Sequence, residues 1–218
     1  MAMTAPAGMA GIVLAAGASS RMGRPKMLLP VGGGTLLKAV AQALLDGGLQ
    51  RVVVVLGCEA DHVRRSAGLP DDPRLRVAVN ADWPSGMASS LRRGIDECGE
   101  AVAALVALGD QAGITAERVK RIVSAWSPGV SLVLPVHDGR AGHPVLFSRP
   151  LWPELRALQG DVGGREVVKR HLEDAVVVPA EALADLDTEE DLRFFLSGAP
   201  APDSGLELPG SPRRTGRH

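Results

Sequence analysis

Aromatic side chains are scarce in this sequence, and neither sign of charge is in excess by more than one. The 218 residues include three Trp, three Phe and no Tyr, which leaves few surfaces on which single-stranded bases could stack. The 24 Lys and Arg residues face 25 Asp and Glu residues, so the net charge is -1. A chain with this charge balance lacks the excess of positive charge with which proteins bind nucleic acid or an anionic membrane. We therefore expect no nucleic acid and no membrane among its partners.

Cysteine and long apolar runs are equally scarce. The two cysteines, Cys58 and Cys98, belong to no CxxC pair and to no Cys/His cluster with zinc spacing. The longest apolar runs, such as Ala101 to Leu108, are far too short to span a bilayer. No positive charge precedes the first apolar stretch, which disfavours a signal peptide. Together these features predict a cytoplasmic protein with reduced cysteines.

The remaining composition is typical of one globular domain. Apolar residues make up 45% of the chain and charged residues 22%, as in folded proteins of this length. Small residues dominate positions 1–9, which we expect to be disordered. Residues 10–196 are predicted to form a single domain. Residues 197–218 are rich in Gly, Pro, Ala and Ser, which predicts a disordered tail.

Short apolar runs alternate with helical patterns along this domain. Each run ends at a turn signal, as buried parallel strands do. The predicted strands cover residues 10–16, 52–56, 75–79, 101–108, 130–136, 144–147 and 175–178. The predicted helices cover residues 35–45, 89–98, 115–126, 164–172 and 188–196. This alternation predicts βαβ units, and therefore an α/β fold with a mainly parallel sheet.

The loop after the first strand, from Leu14 to Lys26, has the chemistry of a polyphosphate site. Ligands of open parallel sheets bind beyond the carboxyl ends of the strands. The small residues around Gly17 let the backbone approach a ligand, and consecutive N–H groups form an anion nest. Arg21 adds a planar fork of donors and Lys26 a mobile positive charge. The spacing fits neither a Walker A loop nor the G-x-G-x-x-G fingerprint.

Two acidic segments also follow predicted strands. Asp110 either holds a hard cation such as Mg²⁺, or is a polar residue that closes its strand or caps the helix from Thr115. Asp185 and Asp187 are two positions apart, so both point to one side of an extended backbone and could share a cation. The segment Thr188-x-x-Asp191 is in addition a capping box for the last helix, and both interpretations can hold at once.

The loop from Leu14 to Lys26 reads L-A-A-G-x-S-x-R-M-G-x-x-K, which is similar to the signature of sugar-phosphate-type nucleotidyltransferases. Within that superfamily it most resembles the molybdenum cofactor cytidylyltransferases. Guanylyltransferase relatives usually carry Gly where Ala16 stands and Asp where Pro25 stands, so the resemblance implies CTP as the nucleotide. It also implies a three-layer, doubly wound, mainly parallel Rossmann-like sheet. The family usually reads Ala-Asp-Gln-Pro around Asp110, whereas Gly109 and Ala112 stand here.

The resemblance also implies roles for individual residues. Arg21 and Lys26 would be catalytic, and Asp110 would hold Mg²⁺, or alternatively Mn²⁺, together with Asp187 or Asp185. A segment similar to Asn80–Ser90 assigns Gly86 and Ser89 to the nucleotide, although Ser89 would also serve as a helix N-cap. Segments around residues 142–145 and 160–165 assign His143, Asp161 and Arg165 to the acceptor. The full nucleotide set implied is Leu14, Ala15, Ala16, Gly17, Ser19, Ser20, Arg21, Lys26, Gly86, Ser89 and Asp110.

The implied reaction transfers CMP from CTP to the terminal phosphate of molybdopterin and releases pyrophosphate. A molybdoenzyme would then be the protein partner that receives the product. Three alternatives stay open. The first is a guanylyltransferase or another NTP transferase acting on a phosphorylated small molecule. The second is an NAD(P)H-dependent oxidoreductase, because small-molecule reductase activity has been attributed to some relatives. The third is a chaperone that carries molybdopterin.

Overall fold

The computed structural model describes residues 8–18, 25–181, 183–185 and 206–207. The strands are β1 (Met9–Ala15), β2 (Pro30–Val31), β3 (Gly34–Thr35), β4 (Arg51–Leu56), β5 (Leu75–Val79), β6 (Ala103–Leu108), β7 (Gln111–Ala112), β8 (Leu132–His137), β9 (Arg140–Ala141), β10 (Val145–Ser148), β11 (Val176–Pro179), β12 (Ala184–Asp185) and β13 (Leu206–Glu207). The α-helices are α1 (Leu36–Asp46), α2 (Ala60–Ser66), α3 (Met87–Asp96), α4 (Ala116–Ser124), α5 (Trp152–Ala157) and α6 (Arg165–Arg170). Short 3₁₀ turns cover Lys26–Leu28, Trp83–Ser85, Arg149–Leu151 and Leu172–Asp174.

The predicted alternation of strands and helices is confirmed at every predicted element that lies within the described residues. The predicted helix over residues 188–196 lies outside them. Side-chain caps fix two of the helix starts: Thr35 accepts the N–H of Lys38, and Thr115 accepts that of Arg118. Two helices, α2 and α5, are missing from the prediction. Only Val63 is buried in α2, and α5 is six residues long, so neither carries a clear apolar periodicity.

Within the described residues, a nine-stranded sheet forms the centre, in the order β13-β9-β8-β10-β6-β1-β4-β5, with β11 pairing with β8. Strands β5, β4, β1 and β6 are mutually parallel, while β10 is antiparallel to both β6 and β8. After β1 the chain adds β4 and β5 on one side and then β6 on the other. The strand order therefore reverses between β1 and β6, and such a switch point is where open α/β sheets bind ligands.

Both faces of the sheet are covered, which confirms the three-layer, doubly wound architecture. Met9 and Val13 of β1 belong to one buried apolar cluster, which they share with residues of α1 and α4. Ala10 and Ile12 point to the opposite face and join a second cluster with residues of α3, α5 and α6. Alternate side chains of one strand thus pack into two apolar cores, one on each face of the sheet. Among the described helices, none combines the length and apolar character needed to cross a membrane.

Both segments expected to be disordered contribute residues to the sheet. Met9 is the first residue of β1, not part of a frayed terminus. Leu206 and Glu207 form β13, which pairs antiparallel with Ala141 and Arg140 of β9. Main-chain hydrogen bonds to an edge strand do not depend on side-chain pattern, so a segment rich in small residues can supply them.

Candidate nucleotide site and an adjoining cavity

A cleft of about 600 Å³ opens at the switch point, beyond the carboxyl ends of β1 and β6. Leu14 is paired with Leu108 in the sheet, so the two strands end at the same level. The lining residues come from the loop after β1, the turn after β6, the start of α3 and one later loop. They are Leu14–Ala18, Lys26, Met27, Trp83, Pro84, Gly86, Met87, Ser90, Leu108, Asp110 and Asp161. The structure therefore gathers several predicted nucleotide residues in one cleft.

The start of the loop after β1 is fixed by the strands on either side of it. The Gly109 N–H donates to the carbonyl of Leu14 at 2.8 Å, and the Cys58 N–H donates to that of Ala16 at 3.0 Å. Gly17 is exposed at the cleft. Ser19, Ser20 and Arg21 lie outside the described residues. A backbone held at its start and open to a cleft is suited to contacting the oxygens of a phosphate chain.

Lys26 brings a positive charge to this cleft. It begins the 3₁₀ turn at residues 26–28, and only 8% of its surface is exposed. It nevertheless lines the cleft. Because water screens a largely buried charge less than a surface charge, Lys26 acts strongly on any anion bound there.

The strand that carries Asp185 pairs with the strand that follows Asp110. Asp110 lines the cleft. Asp185 belongs to β12, which pairs antiparallel with β7 so that Asp185 stands opposite Gln111, the residue after Asp110. Asp187 lies outside the described residues. Within the part of the chain that is described, no group of three or more His, Cys, Asp or Glu residues could hold a metal ion.

This arrangement fits a cation that relies partly on its substrate for ligands. Mg²⁺ is commonly held by one or two carboxylates together with substrate phosphates and water. Asp110, which lines the cleft, supplies one carboxylate of that kind. The donor set therefore suits a hard divalent cation and does not resemble a closed structural metal site.

The segment over residues 80–90 places its two candidate residues differently. Gly86 lines the cleft, but Ser89 does not. Ser89 is buried, with its hydroxyl 2.8 Å from Asn80 Nδ2 and within 2.9 Å of the carbonyl oxygens of Asp82 and Gly86. It is also not the N-cap of α3, because that helix begins two residues earlier at Met87. Its neighbour Ser90 lines the cleft instead.

The three residues expected on the acceptor side are divided between two spaces. Asp161 lies in the nucleotide cleft, where its Oδ1 is 3.4 Å from the backbone nitrogen of Met87. His143 and Arg165 line a second cavity of about 310 Å³. This second cavity shares Leu14, Met87 and Leu108 with the nucleotide cleft, so the two spaces adjoin.

The second cavity combines an apolar wall with several basic side chains. The apolar wall includes Val106, Pro135, Ala141, Val145, Phe147, Val168 and Leu183, and the basic and imidazole side chains are Arg118, His137, Arg140, His143 and Arg165. Glu181 is its one carboxylate among the described residues. Sequence reasoning named His143 and Arg165 but not residues such as Arg118 and Phe147, because the wall is assembled from strands, helices and loops that are far apart in the chain.

Arg118 ties two parts of the cavity wall together. Its guanidinium, only 4% exposed, donates to the carbonyl of His143 at 3.2 Å and to the carbonyl of Glu181. Burial lowers the pKa of this guanidinium. Arg121 donates to Glu181 Oε2 at 3.0 Å, and the backbone of Glu181 together with Arg121 keeps the pKa of that carboxyl below its usual range. The single carboxylate is thus already paired with arginines.

The fold and the cleft together define the architecture of a nucleotidyltransferase. The sequence pattern of the MobA-like NTP transferase domain matches residues 11–176, and the chain belongs to that family. Its substrates are accordingly of the nucleotide and small-molecule class.

Relatives within this family have more than one activity. The chain is 37% identical over 197 residues to the nicotine blue oxidoreductase of Paenarthrobacter nicotinovorans. The alignment covers 85% of this chain and 95% of that protein. It is 26% identical over 181 residues to the molybdenum cofactor cytidylyltransferase of Escherichia coli (strain K12), covering 83% and 91% respectively.

Solved structures share the same fold. Rv0371c from Mycobacterium tuberculosis H37Rv superposes with a TM-score of 0.76 at 30% identity, covering 87% of this chain and 98% of that one. The structure of Rv0371c in complex with manganese gives a TM-score of 0.70 at 28% identity, covering 88% and 100%.

Proposed function

We propose that this protein transfers CMP from CTP to the terminal phosphate of molybdopterin and releases pyrophosphate. The observation that carries the proposal is the cleft at the switch point, where Lys26, Asp110 and the open backbone from Leu14 to Ala18 converge. A triphosphate needs N–H donors, a cation and a carboxylate-held metal close together, and the presence of Lys26 and Asp110 in the lining of this cleft supports the proposal. The similarity to the cytidylyltransferase of Escherichia coli supports CTP and molybdopterin as the particular substrates.

The chemistry requires no activated side-chain nucleophile. An oxygen of the acceptor phosphate, anionic at neutral pH, forms a bond to the α-phosphorus of CTP, while the bond to the bridging oxygen breaks and pyrophosphate leaves. Backbone N–H groups from Gly17 onward hold the β- and γ-phosphates, and Lys26 stabilises the charge that develops on the leaving group. Arg21 would share that task. Most of the rate enhancement then comes from in-line positioning and charge stabilisation.

Asp110, with Asp185 or Asp187, would hold Mg²⁺ or alternatively Mn²⁺. A bound divalent cation neutralises phosphate charge and orients the triphosphate. The manganese complex of the structural relative Rv0371c supports the use of a divalent metal.

The experiment that tests the proposal is a thermal-shift series with Mg²⁺ and one of CTP, GTP, ATP, UTP or NADPH. A ligand at 100 times its Kd stabilises a protein by about 2.7 kcal/mol, which raises the Tm of a chain of this size by about 5–10 °C. We expect a shift of that size with CTP and Mg²⁺, and a much smaller one with CTP and EDTA. A shift with GTP alone would move the assignment to a guanylyltransferase. Pyrophosphate release upon addition of molybdopterin then separates an enzyme from a molybdopterin-carrying chaperone.

A second candidate function is a nicotinamide-dependent oxidoreductase. The 37% identity to the nicotine blue oxidoreductase favours it. The loop after β1 lacks the G-x-G-x-x-G fingerprint of many dinucleotide sites. A thermal shift with NADPH and none with CTP would establish this alternative and refute the transferase.

A further inference from the structure

We propose that Arg92 of α3 is a positioning residue for the nucleotide site and that it acts through Asp161. Arg92 itself does not line the nucleotide cleft, whereas Asp161 does. The guanidinium of Arg92 holds residues 158–161 against α3, and this keeps the Asp161 carboxylate at the cleft. The effect on CTP binding rests on the proposed function, whereas the hold on the segment rests on the contacts themselves.

Arg92 binds two main-chain carbonyls at the end of α5. Its Nε donates to the carbonyl of Arg156 at 3.2 Å, and its Nη2 donates to the carbonyl of Leu158 at 3.0 Å. The last carbonyls of a helix have no donor within that helix, and a positive charge is favourable beside them. The planar fork of a guanidinium reaches two acceptors at once, which one ammonium group does less well. Arg92 therefore fixes the point at which the chain leaves α5.

The first turn of α3 holds the same segment a few residues further on. The Ala88 N–H donates to the carbonyl of Gly160 at 3.1 Å, and the backbone nitrogen of Met87 lies 3.4 Å from Asp161 Oδ1. First-turn N–H groups have no acceptor within their own helix, so these contacts replace water. The segment is thus held by one helix at two points, and Arg92 provides the first of them.

Asp161 depends on this hold because its own side chain is not packed. The residue is exposed and lies in the connection between α5 and α6, so the path of the backbone decides where its carboxylate points. A carboxylate accepts hydrogen bonds from hydroxyl and amino groups, whereas it repels phosphate oxygens. We therefore expect Asp161 to contact the nucleoside part of a bound nucleotide.

The chain offers a matched control for the loss of such contacts. Arg149 also donates to two main-chain carbonyls, those of Gly99 and Ala101, at 3.0 and 3.2 Å. It follows Ser148, which pairs with Ala103 at the start of β6, so it lies at the edge of the sheet opposite the cleft. Arg149→Gln thus removes the same kind of hydrogen bond far from the site.

A second control lies next to Arg92 on the same helix. Arg93 pairs with Glu97 Oε1 at 2.7 Å and does not line the cleft. Arg93→Gln therefore removes a charge from α3 without touching the segment that carries Asp161. Together the two controls separate the loss of a charge on α3 and the loss of carbonyl contacts in general from the loss of the Arg92 contacts.

The first experiment measures the hold on the segment without any nucleotide. Amide hydrogen exchange of the full-length protein is followed by NMR, and the Ala88 N–H is the reporter because its acceptor belongs to Gly160. In Arg92→Gln the exchange rate of Ala88 should rise about tenfold, while that of Ile95, which is buried further along α3, should not change. Arg149→Gln and Arg93→Gln should exchange at Ala88 like the wild type.

The second experiment tests whether Arg92 acts through Asp161. Isothermal titration calorimetry measures the Kd of CTP with Mg²⁺ in a double-mutant cycle. Asp161→Ala should weaken binding about tenfold, and Arg92→Gln should weaken it about three- to fivefold. In the Asp161→Ala background the further change Arg92→Gln should have almost no effect, because the group that it positions is gone. A purely structural role of Arg92 would give the same loss in both backgrounds.

Three results would overturn this inference: unchanged exchange of Ala88 in Arg92→Gln, additive effects of the two substitutions, or an equal loss of CTP affinity in Arg149→Gln. If Arg92→Gln does not fold, Arg92→Lys keeps the charge without the fork and should show smaller changes in the same direction. The outcome for the proposed function is separate. If the wild-type protein does not bind CTP with Mg²⁺, the cytidylyltransferase assignment fails, and the exchange of Ala88 still decides whether Arg92 holds the segment.

Discussion

Gly86 is the position where a single methyl group should most disturb this site. Its backbone angles, φ 109° and ψ 175°, fall in a region that only glycine adopts readily. A Cβ at this position would lie 2.2 Å from the carbonyl carbon of Gly160 and 2.5 Å from the nitrogen of Asp161. Neither contact involves a flexible side chain, so the Gly86→Ala variant must move the backbone of one segment or the other.

The expected loss of stability follows from two costs. Placing alanine in this backbone region costs about 1–3 kcal/mol. Forcing two packed backbone segments apart costs about 1–3 kcal/mol more. The free energy of unfolding of Gly86→Ala should therefore fall by about 2–6 kcal/mol, measured by urea denaturation with tryptophan fluorescence.

The same displacement should weaken binding. The Ala88 N–H donates to the carbonyl of Gly160 at 3.1 Å, and this bond holds the segment that carries Asp161 against the start of α3. Gly142→Ala is the control, because a Cβ there meets no described atom within 4 Å. It should leave the free energy of unfolding within about 0.5 kcal/mol of wild type. A Gly86→Ala protein as stable as that control would refute the reasoning.

Three further predictions concern single side chains. Lys26→Met, which keeps the aliphatic stem, should lower kcat for CTP-dependent pyrophosphate release about 100-fold or more in a steady-state assay. In urea denaturation, Arg118→Gln should lower the free energy of unfolding by about 2–4 kcal/mol, because two partly buried carbonyls lose a charged donor. Arg121 is 45% exposed, so Arg121→Gln should lower it by less than about 1 kcal/mol. Burial raises the pKa of the Cys98 thiol from 9.0 to about 12. The contribution of this thiol to the free energy of unfolding is fully present below pH 9. It is lost as the pH rises from 9 toward 12, because in that range the thiol ionises in the unfolded chain but not in the folded protein. When the pH is raised from 8 to 10, the free energy of unfolding of the wild type, measured by urea denaturation, should therefore fall by about 1 kcal/mol more than that of Cys98→Ala.

The loop chemistry and the alternation of elements could be predicted because both are local. Apolar runs such as Val52 to Leu56 end at turn residues. A continuous apolar run with such an end is enough to predict a strand that is buried on both faces. Asp110 could be predicted as a site residue because it follows the end of a predicted strand, and Lys26 because it ends the loop after the first predicted strand. The parallel arrangement of the strands then placed both at one edge of the sheet.

Other features depend on partners that are distant in sequence. Strand β10 runs antiparallel between β6 and β8, and no local pattern encodes that direction. Ser89 and Ser90 both accept a hydrogen bond from Asn80 Nδ2, yet only Ser90 lines the cleft. The difference follows from their positions in the first turn of α3, where the Ala88 N–H donates to the carbonyl of Gly160.

The sequence by itself determined the fold class, the family and the residue types available for phosphate and metal binding, since these follow from short segments with their own periodicity and spacing. The tertiary structure alone decided that Asp161 faces the nucleotide cleft while His143 and Arg165 face the second cavity. It also placed Asp185 opposite Gln111, the residue after Asp110, through the pairing of β12 with β7. The physical reason is the same in each case. Which groups share a cavity depends on how strands and loops pack after the chain has closed on itself, and neighbours in that packing are not neighbours in the sequence.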